Sequence, residues 1–277
     1  MVSPRMADPS PPIGVAVVSW NVCGLLRRCL ASLDGQWPDL RVVVVDNASS
    51  DGTVEMVADD FPAVRVIANE ANLGFTVANN QALRLLGAGS GAPDAPWATF
   101  LLNPDTEVRP GAIAALARQL SSAPRVAVVG PLLRYPDGAV QSSRRRFPSL
   151  AVAVLESTPF AWRWPDNPVA RRYRMDDLPP DRPGDVDWVT GAAMLVRSSA
   201  LAAVGLFDEG FFLYSEELDL CRRLAGAGWL VRYEPAAEVM HHEARSSGQV
   251  VAARHLWFHR SRVRYFRKHH GTGAAGI

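Results

Sequence analysis

Cysteine is scarce in this chain: Cys23, Cys29 and Cys221 are its three occurrences, and no two form a C-x-x-C pair. An odd count without that spacing argues against a disulfide framework and a structural zinc site. Small buried thiols in a reducing compartment are the expectation. Long apolar runs are missing as well. No window of about 18 uninterrupted apolar residues occurs, so no membrane-spanning helix is expected. No basic region followed by an apolar stretch opens the sequence, so no secretory signal is expected either. These absences make a cytoplasmic location the expectation. One-sided charge is absent: 29 Lys+Arg against 28 Asp+Glu leave a formal net charge of +1. Overall charge therefore gives no support to a nucleic-acid partner. The glycine-rich phosphate cradles are missing too. Neither G-x-x-x-x-G-K-[ST] nor a G-x-G-x-x-G after the first strand is present.

What is present is an ordinary globular balance, 48% hydrophobic and 21% charged over 277 residues. That length suits one large α/β domain or two small ones. After a Pro/Ser-rich stretch (1–12, expected to be disordered), GVAVVS reads as a buried strand. Val22, Leu25, Leu26, Cys29, Leu30 and Leu33 then recur at helical spacing. RVVVV, residues 41–45, is a second strand; its continuous apolarity suits a parallel sheet covered on both faces. Alternation continues through a helix that Ser50 or Asp51 can cap, a strand at 64–68 and a helix carrying Phe75, Ala78, Ala82 and Leu85. A strand at 97–102, a helix after Pro110 and a strand at 126–130 follow. This pattern predicts a doubly wound α/β sheet. Residues 158–187, rich in Pro, Arg and Asp, read as a long surface excursion. Order resumes at VDWVTGAAMLVR, with a helix near Glu216, a strand at 229–233 and a terminal helix.

Ligands in open α/β sheets bind outside the carboxyl ends of strands. Those ends here read Ser19-Trp20-Asn21, Asp46-Asn47, Asn69 leading to Asn72-Leu73-Gly74, and Asn103-Pro104-Asp105. Each alone reads as a turn or cap. Four together make a polar crevice. Without a glycine cradle, a bound diphosphate needs another counter-charge, and a hard cation on one or two carboxylates supplies it. Asp105 is placed for that role, or for a plain turn with Thr106. A second acidic cluster lies in FFLYSEELDLCRR. Glu216 and Asp219 share a helix face at i,i+3, and Asp219 can pair with Arg223 at i,i+4. Glu217 falls on the side of Leu220 and Cys221, where desolvation would raise its pKa toward that of a general base. The alternative is that acids simply favour a helix's first turn. His241 and His242 follow a strand and read as a metal contribution or a surface pair.

VVSWN, VVDNASSDGT, NLGFTVANN, LLNPDTEV, GPLLRYPDG, VDWVTGAAMLVR, GLFDEGFFLYSEELDLCRR and HHEARSSG occur in that order. Together they resemble the inverting, family-2 glycosyltransferases of GT-A fold, in the rhamnosyltransferase-like subgroup, over roughly residues 13 to 270. The resemblance implies a Rossmann-like, mostly parallel central sheet flanked by helices, with a C-terminal acceptor-side subregion. It divides the chain into a nucleotide-sugar-binding half (13–130), an acceptor and catalytic half (131–248), and a basic helix and tail (249–277). It implies a nucleotide-diphosphate sugar donor, with dTDP-rhamnose the family-weighted choice and UDP- or GDP-sugars open. The acceptor would be a saccharide, a lipid-linked carrier or a small molecule, and no nucleic acid is involved. Ser19, Trp20, Asn21, Asp46 and Asn47 would surround base and ribose, with Asn72, Gly74 and Asn79 continuing that pocket. Asn103-Pro104-Asp105 stands where the family carries D-x-D, so Asp105 would bind Mg²⁺ or Mn²⁺ beside His241. Trp188, Gly191 and Ala192 would line the sugar and acceptor pocket. Glu217 stands where the family's catalytic Asp does, with Glu216 its rival. These two departures, Asn for Asp and Glu for Asp, are the support for a second reading: a non-catalytic nucleotide-sugar-binding protein of the same fold.

HLWFHRSRVRYFRKHH, residues 255–270, interleaves aromatics and cations. It reads as a helix docked by Leu256, Trp257, Val263 and Phe266 with a solvated basic face, as a peripheral contact with the inner face of an anionic membrane, or as a nucleic-acid stripe.

Overall fold

The computed structural model describes residues 10–156, 158, 163–242, 247–271 and 273. Most of the 1–12 stretch therefore lies outside the described residues. Pro11 and Pro12 are within them and are held, their carbonyls accepting from Trp37 Nε1 at 3.0 Å and Trp97 N at 3.1 Å.

The first half follows the sequence reading. β1 (Ile13–Ser19), α1 (Cys23–Ala31), β2 (Leu40–Asp46), α2 (Thr53–Asp60), β3 (Arg65–Ala68), α3 (Phe75–Leu86) and β4 (Ala98–Leu102) alternate as expected. β5 (Thr106–Val108), α4 (Ala112–Ser122), β6 (Val126–Arg134), β7 (Val140–Gln141), β8 (Arg144–Arg145), α5 (Leu150–Glu156) and α6 (Pro168–Arg174) come next. They are followed by β9 (Gly184–Val186), β10 (Trp188–Val189), β11 (Ala193–Arg197), α7 (Ser198–Val204), α8 (Glu216–Gly226) and β12 (Leu230–His241). A short 3₁₀ turn (Ser247–Val250) leads into α9 (Val251–His270).

The main sheet runs β3-β2-β1-β4-β11-β6-β12-β5. β1, β2, β3 and β4 are mutually parallel, and β6 and β12 are parallel to each other. Because β11 is antiparallel to both β4 and β6, all six point the same way. Their carboxyl ends therefore gather on one edge, and the order reverses between β1 and β4. Strand residues alternate between two buried layers. Val15, Val17 and Phe100 pack with Leu26, Val57, Ile113 and Leu116 on one side. Ala16, Val43, Leu101 and Met194 pack with Leu83, Leu201, Leu220 and Phe266 on the other. Burial on both faces is why these strands read as continuous apolar runs.

Three local expectations differ from the structure. Neither Ser50 nor Asp51 caps α2, because left-handed Gly52 (φ 80°) occupies that position. Asp51 instead accepts from Thr53 Oγ1 at 2.5 Å and from Cys23 N at 2.8 Å, tying α2 to α1. The 158–187 stretch is partly ordered; four of its residues, 159–162, lie outside the described ones. Asn167 caps α6 by accepting from Ala170 N, and β9 pairs with β12. On α9, Phe266 is buried and Trp257 stacks on Phe212 at 4.6 Å, but Leu256 and Val263 are exposed. The docked stripe runs instead through Trp257, Ser261 and Tyr265 at i,i+4 steps.

One close approach joins the two halves. Gly74 has φ 87°, and a Cβ there would sit 2.6 Å from Phe212 Cδ2 and 2.8 Å from the Phe212 carbonyl oxygen. That approach lets Phe75 N–H donate to Phe212 O at 2.8 Å. Nearby, buried Asn80 donates to Phe207 O at 2.9 Å and accepts from Phe207 N at 3.1 Å. Gly74→Ala adds both a clash and a disfavoured backbone geometry, the latter alone costing about 1–3 kcal/mol. A fall in melting temperature of several degrees is the expected outcome in a thermal melt.

Candidate active site

At the carboxyl edge of the sheet lies a cavity of about 310 Å³. Its floor is the β1 and β4 ends, with Val18, Trp20, Asn103, Pro104 and Asp105. One wall is Asn47, Asn72, Gly74 and Phe75; the opposite wall is Thr190, Gly191, Ala192, Glu216 and Glu217. Gln141 and His241 close one end, and Phe212, Leu213, Tyr214, Arg254 and Trp257 close the other.

The asparagine wall is built by hydrogen bonds among its own members. Asn47 Nδ2 donates to Asn72 Oδ1 at 3.2 Å and to Gly74 O at 3.1 Å. Asn47 Oδ1 accepts from Asn69 Nδ2 at 2.9 Å, and Asn72 Oδ1 also accepts from Gly74 N at 3.0 Å. These amides give the wall its shape and present their edges to the cavity.

Asp105 and His241 are brought together by the sheet. β12 pairs antiparallel with β5 so that His241 stands opposite Thr106, and His242 N donates to Asp105 O at 2.9 Å. His241 Nδ1 lies 2.9 Å from Gln141 Oε1. An amide oxygen can only accept, so Nδ1 donates to it and Nε2 is the nitrogen turned toward Asp105. Nε2 faces Asp105 Oδ1 at 3.3 Å and has no hydrogen-bond partner among the described residues. A carboxylate oxygen and an imidazole nitrogen held face to face and buried are suited to sharing a positive charge between them. An oxygen and an imidazole nitrogen, with the histidine's other nitrogen bonded outward, form a fitting donor pair for Mg²⁺ or Mn²⁺. Among the described residues no cluster of three or more His, Cys, Asp or Glu exists that could hold a metal alone. An ion here would draw its remaining ligands from water and from an anionic substrate. His242 does not take part; its Nε2 lies 2.9 Å from Glu107 Oε1.

The glutamate pair opens α8 after two consecutive left-handed residues, Tyr214 (φ 70°) and Ser215 (φ 65°). Non-glycine residues pay for that geometry, and such strain gathers at functional sites. Glu217 Oε1 accepts from Gly191 N at 3.3 Å, while Glu217 Oε2 and Glu216 Oε2 are buried without partners. Burial raises the pKa of Glu216 well above the usual carboxylate range, and the neighbouring Glu217 charge adds to it. Burial also raises Glu217, against which its hydrogen bonds from Gly191 and Leu218 act. Two carboxylates this close do not both ionise easily. Glu216 is the more deeply buried of the two and the more strongly raised.

Trp20, Asn47, Asn72, Gly74, Asn103, Asp105, Gly191, Ala192, Glu216, Glu217 and His241 thus line one cavity. Five expected residues do not. Ser19 is fully buried, its carbonyl accepting from Asn47 N at 2.9 Å. Asn21 turns left-handed (φ 51°) and accepts from Ser50 N at 2.8 Å. Asp46 accepts from Ser49 N at 2.9 Å. Asn79 donates back along its own helix to Phe75 O at 2.9 Å. Trp188 Nε1 donates to Arg146 O at 2.9 Å. Ser19 Oγ and Asp46 Oδ1 are buried without a hydrogen-bond partner among the described residues. Sequence reasoning missed Gln141, Thr190, Phe212, Tyr214, Arg254 and Trp257. The left-handed Tyr214-Ser215 step carries no glycine to announce it, and Gln141 sits on a two-residue strand without periodicity.

The description "Glycosyltransferase like family 2" belongs to a family model that matches residues 11–259. The N-acetylglucosaminyl-diphospho-decaprenol L-rhamnosyltransferase of Mycobacterium tuberculosis is 40% identical over 254 residues, covering 89% of this chain and 81% of that protein. Among solved structures, a mannosyltransferase from Pyrobaculum calidifontis in complex with GDP-Man and Mn²⁺ superposes with a TM-score of 0.61 at 19% identity, covering 94% of this chain and 66% of that one. GalNAc-T7 with UDP, GalNAc and Mn²⁺ gives 0.57 at 18% identity, covering 83% of this chain and 44% of that one. With the sheet order, the shared cavity and a family match of this extent, the chain belongs to the family 2 glycosyltransferases and has their GT-A fold.

Proposed function

We propose that this glycosyltransferase moves rhamnose from dTDP-rhamnose to a hydroxyl of a lipid-linked saccharide in a single inverting displacement. The sugar and the acceptor follow the 40% identical relative, whose name specifies an L-rhamnosyl transfer to a diphospho-decaprenol-linked sugar, and the dTDP carrier follows the family resemblance. The observation that carries the mechanism is the common cavity of the Asp105–His241 pair and the Glu216–Glu217 pair. Asp105 and His241 would hold Mg²⁺ or Mn²⁺, which when bound supplies positive charge to the departing diphosphate. The asparagine wall shapes the donor side. Glu217 Oε2 receives the acceptor hydroxyl's proton, while the Gly191 N–H fixes its other oxygen. Protonated Glu216 behind it keeps a second negative charge out of the cavity.

α9 bears on where the acceptor lies. Among the described residues, seven of the nine exposed large apolar side chains fall on two neighbouring segments: Leu150, Val154 and Trp164, and Val251, Leu256, Phe258 and Val263 of α9. The Arg262 guanidinium donates to Ala153 O, joining α5 to α9. α9 has no acidic residue and carries exposed Arg260 and Arg267. Apolar side chains flanked by cations suit an anionic bilayer surface, where a lipid-linked acceptor resides.

Three outcomes test this reading. A base must be ionised, and it ionises above its pKa. Its raised pKa therefore moves the acid limb of the kcat/KM profile above the ordinary carboxylate range. Glu217→Gln is expected to remove that limb and lower kcat ~10²–10⁴-fold with nucleotide binding intact; Glu216→Gln is expected to leave the limb raised, because burial holds Glu217 up. An unchanged limb in Glu217→Gln assigns the base elsewhere. EDTA is expected to abolish transfer and added Mn²⁺ or Mg²⁺ to restore it; transfer indifferent to chelation removes the ion from the scheme. In flotation, the protein is expected to rise with phosphatidylglycerol vesicles and detach at high salt. Leu256→Glu combined with Val263→Glu should abolish retention, and persistent retention would reject this face.

A further inference from the structure

The cavity is lined by three carboxylates, Asp105, Glu216 and Glu217, and among its described lining residues it has one guanidinium, Arg254. Arg254 comes from the first turn of α9 and is half-buried. Its direction is set by the stripe it continues. Trp257 stacks on Phe212, Ser261 Oγ donates to Leu213 O at 2.7 Å, and Tyr265 is buried. These residues fall at i+3, i+7 and i+11 from Arg254, on one helix face. The same face carries Arg264 and Lys268, and both are neutralised: Arg264 pairs with Asp208 at 2.8 Å, and Lys268 with Asp208 and Asp219 at 2.7 and 2.8 Å. Arg254 makes no ion pair or hydrogen bond with any described residue. It shares a cavity with two glutamates and bonds to neither.

We propose that Arg254 is a phosphate-binding residue, clamping the diphosphate of a ligand in this cavity. Guanidinium is charged at every working pH and presents donors in a fork that matches two phosphate oxygens. The charge balance favours this ligand class. With no glycine cradle in the sequence, the Asp105–His241 pair and its ion are otherwise the only positive contribution among the described lining residues. A diphosphate's charges exceed what that supplies. The diphosphate has two sources, the nucleotide-sugar donor and a diphosphate-linked lipid acceptor. The assignment rests on the glycosyltransferase reading for the latter source but not for the former.

The test separates the sources. Titration of dTDP, inorganic pyrophosphate and thymidine, each with Mn²⁺, is compared for wild type, Arg254→Gln and Arg254→Lys, with thermal melts to confirm folding. Loss of a charge-assisted phosphate contact is expected to weaken dTDP and pyrophosphate roughly 10–100-fold in Arg254→Gln, with partial recovery in Arg254→Lys and thymidine unchanged. That result assigns the donor diphosphate. Unchanged dTDP affinity with a similarly raised KM for a polyprenyl-diphosphate-linked saccharide in vesicles, and kcat retained, assigns the acceptor. Nucleotide affinity and acceptor KM both within about twofold of wild type overturn the proposal. Pyrophosphate binding needs no turnover, so a wild-type protein that binds it through Arg254 but transfers no sugar would sink the proposed reaction and leave this site standing.

Discussion

The hydrogen bond from Phe75 N–H to the Phe212 carbonyl, made across Gly74, is the constraint on which the site depends. It fastens the start of the nucleotide-side helix α3 to the loop that delivers α8. Asn80 repeats the tie one turn later through both its amide groups. With the loop pinned at Phe207 and Phe212, the chain has only Leu213, Tyr214 and Ser215 in which to turn into α8. The two left-handed residues there are the cost of that short turn. In return the first residues of α8, Glu216 and Glu217, enter the cavity across from Asp105. A glycine at 214 or 215 would relax the strain and loosen the glutamates' aim.

The same helix is anchored at its outer end by a buried charge. Asp219 is fully buried, and burial alone would raise its pKa. Hydrogen bonds from Lys268, Arg223 and His269 overcome that and hold the carboxyl below its ordinary value. Arg223 is the i,i+4 partner expected from sequence, at 2.9 Å. Lys268 and His269 come from α9, both at 2.8 Å. An acid that must stay ionised and one that resists ionisation thus sit three residues apart on α8. Asp219 fixes α9 against α8, and α9 brings Trp257 and Arg254 to the cavity mouth. The basic helix is therefore a wall of the site rather than an appendage after it.

Much of this architecture was legible, and the reason is parallel pairing. When adjacent strands run the same way and are covered on both faces, each apolar run ends at the same edge, and the first polar residues after it become neighbours. That rule found Asn47, Asn72, Asn103 and Asp105. Ser19, Asn21 and Asp46 stand at the same strand ends but outside the cavity lining, because a polar residue there can also bond within its own turn, as Asn21 does with Ser50 N and Asp46 with Ser49 N. Sequence patterning could not show Gln141 or Arg254. Gln141 matters only because the β12 register brings His241 within its reach. Arg254 matters because the docked stripe of α9 is the one through Trp257 and Tyr265, whereas Leu256 and Val263 were equally apolar candidates for it.

The two departures from the family pattern become intelligible in the cavity. At 103 an asparagine replaces the first acid. Its backbone N–H donates to Ala192 O at 2.9 Å, and its side chain lines the cavity without adding negative charge. With Glu216 and Glu217 lining the same cavity, a further negative charge on the floor would raise their pKa values more. His241 Nε2 stands 3.3 Å from Asp105 Oδ1 at that edge of the sheet. At 217 a glutamate replaces the shorter acid and packs against Gly191, where even an added Cβ would make only ordinary contact, 3.6 Å from Glu217 Cβ, Cγ and Cδ. The longer side chain lies along that glycine and takes its N–H, which leaves Oε2 unpartnered at the cavity wall. The extra methylene and the missing charge therefore act together, one carrying the carboxylate along Gly191 and the other limiting the negative charge around it.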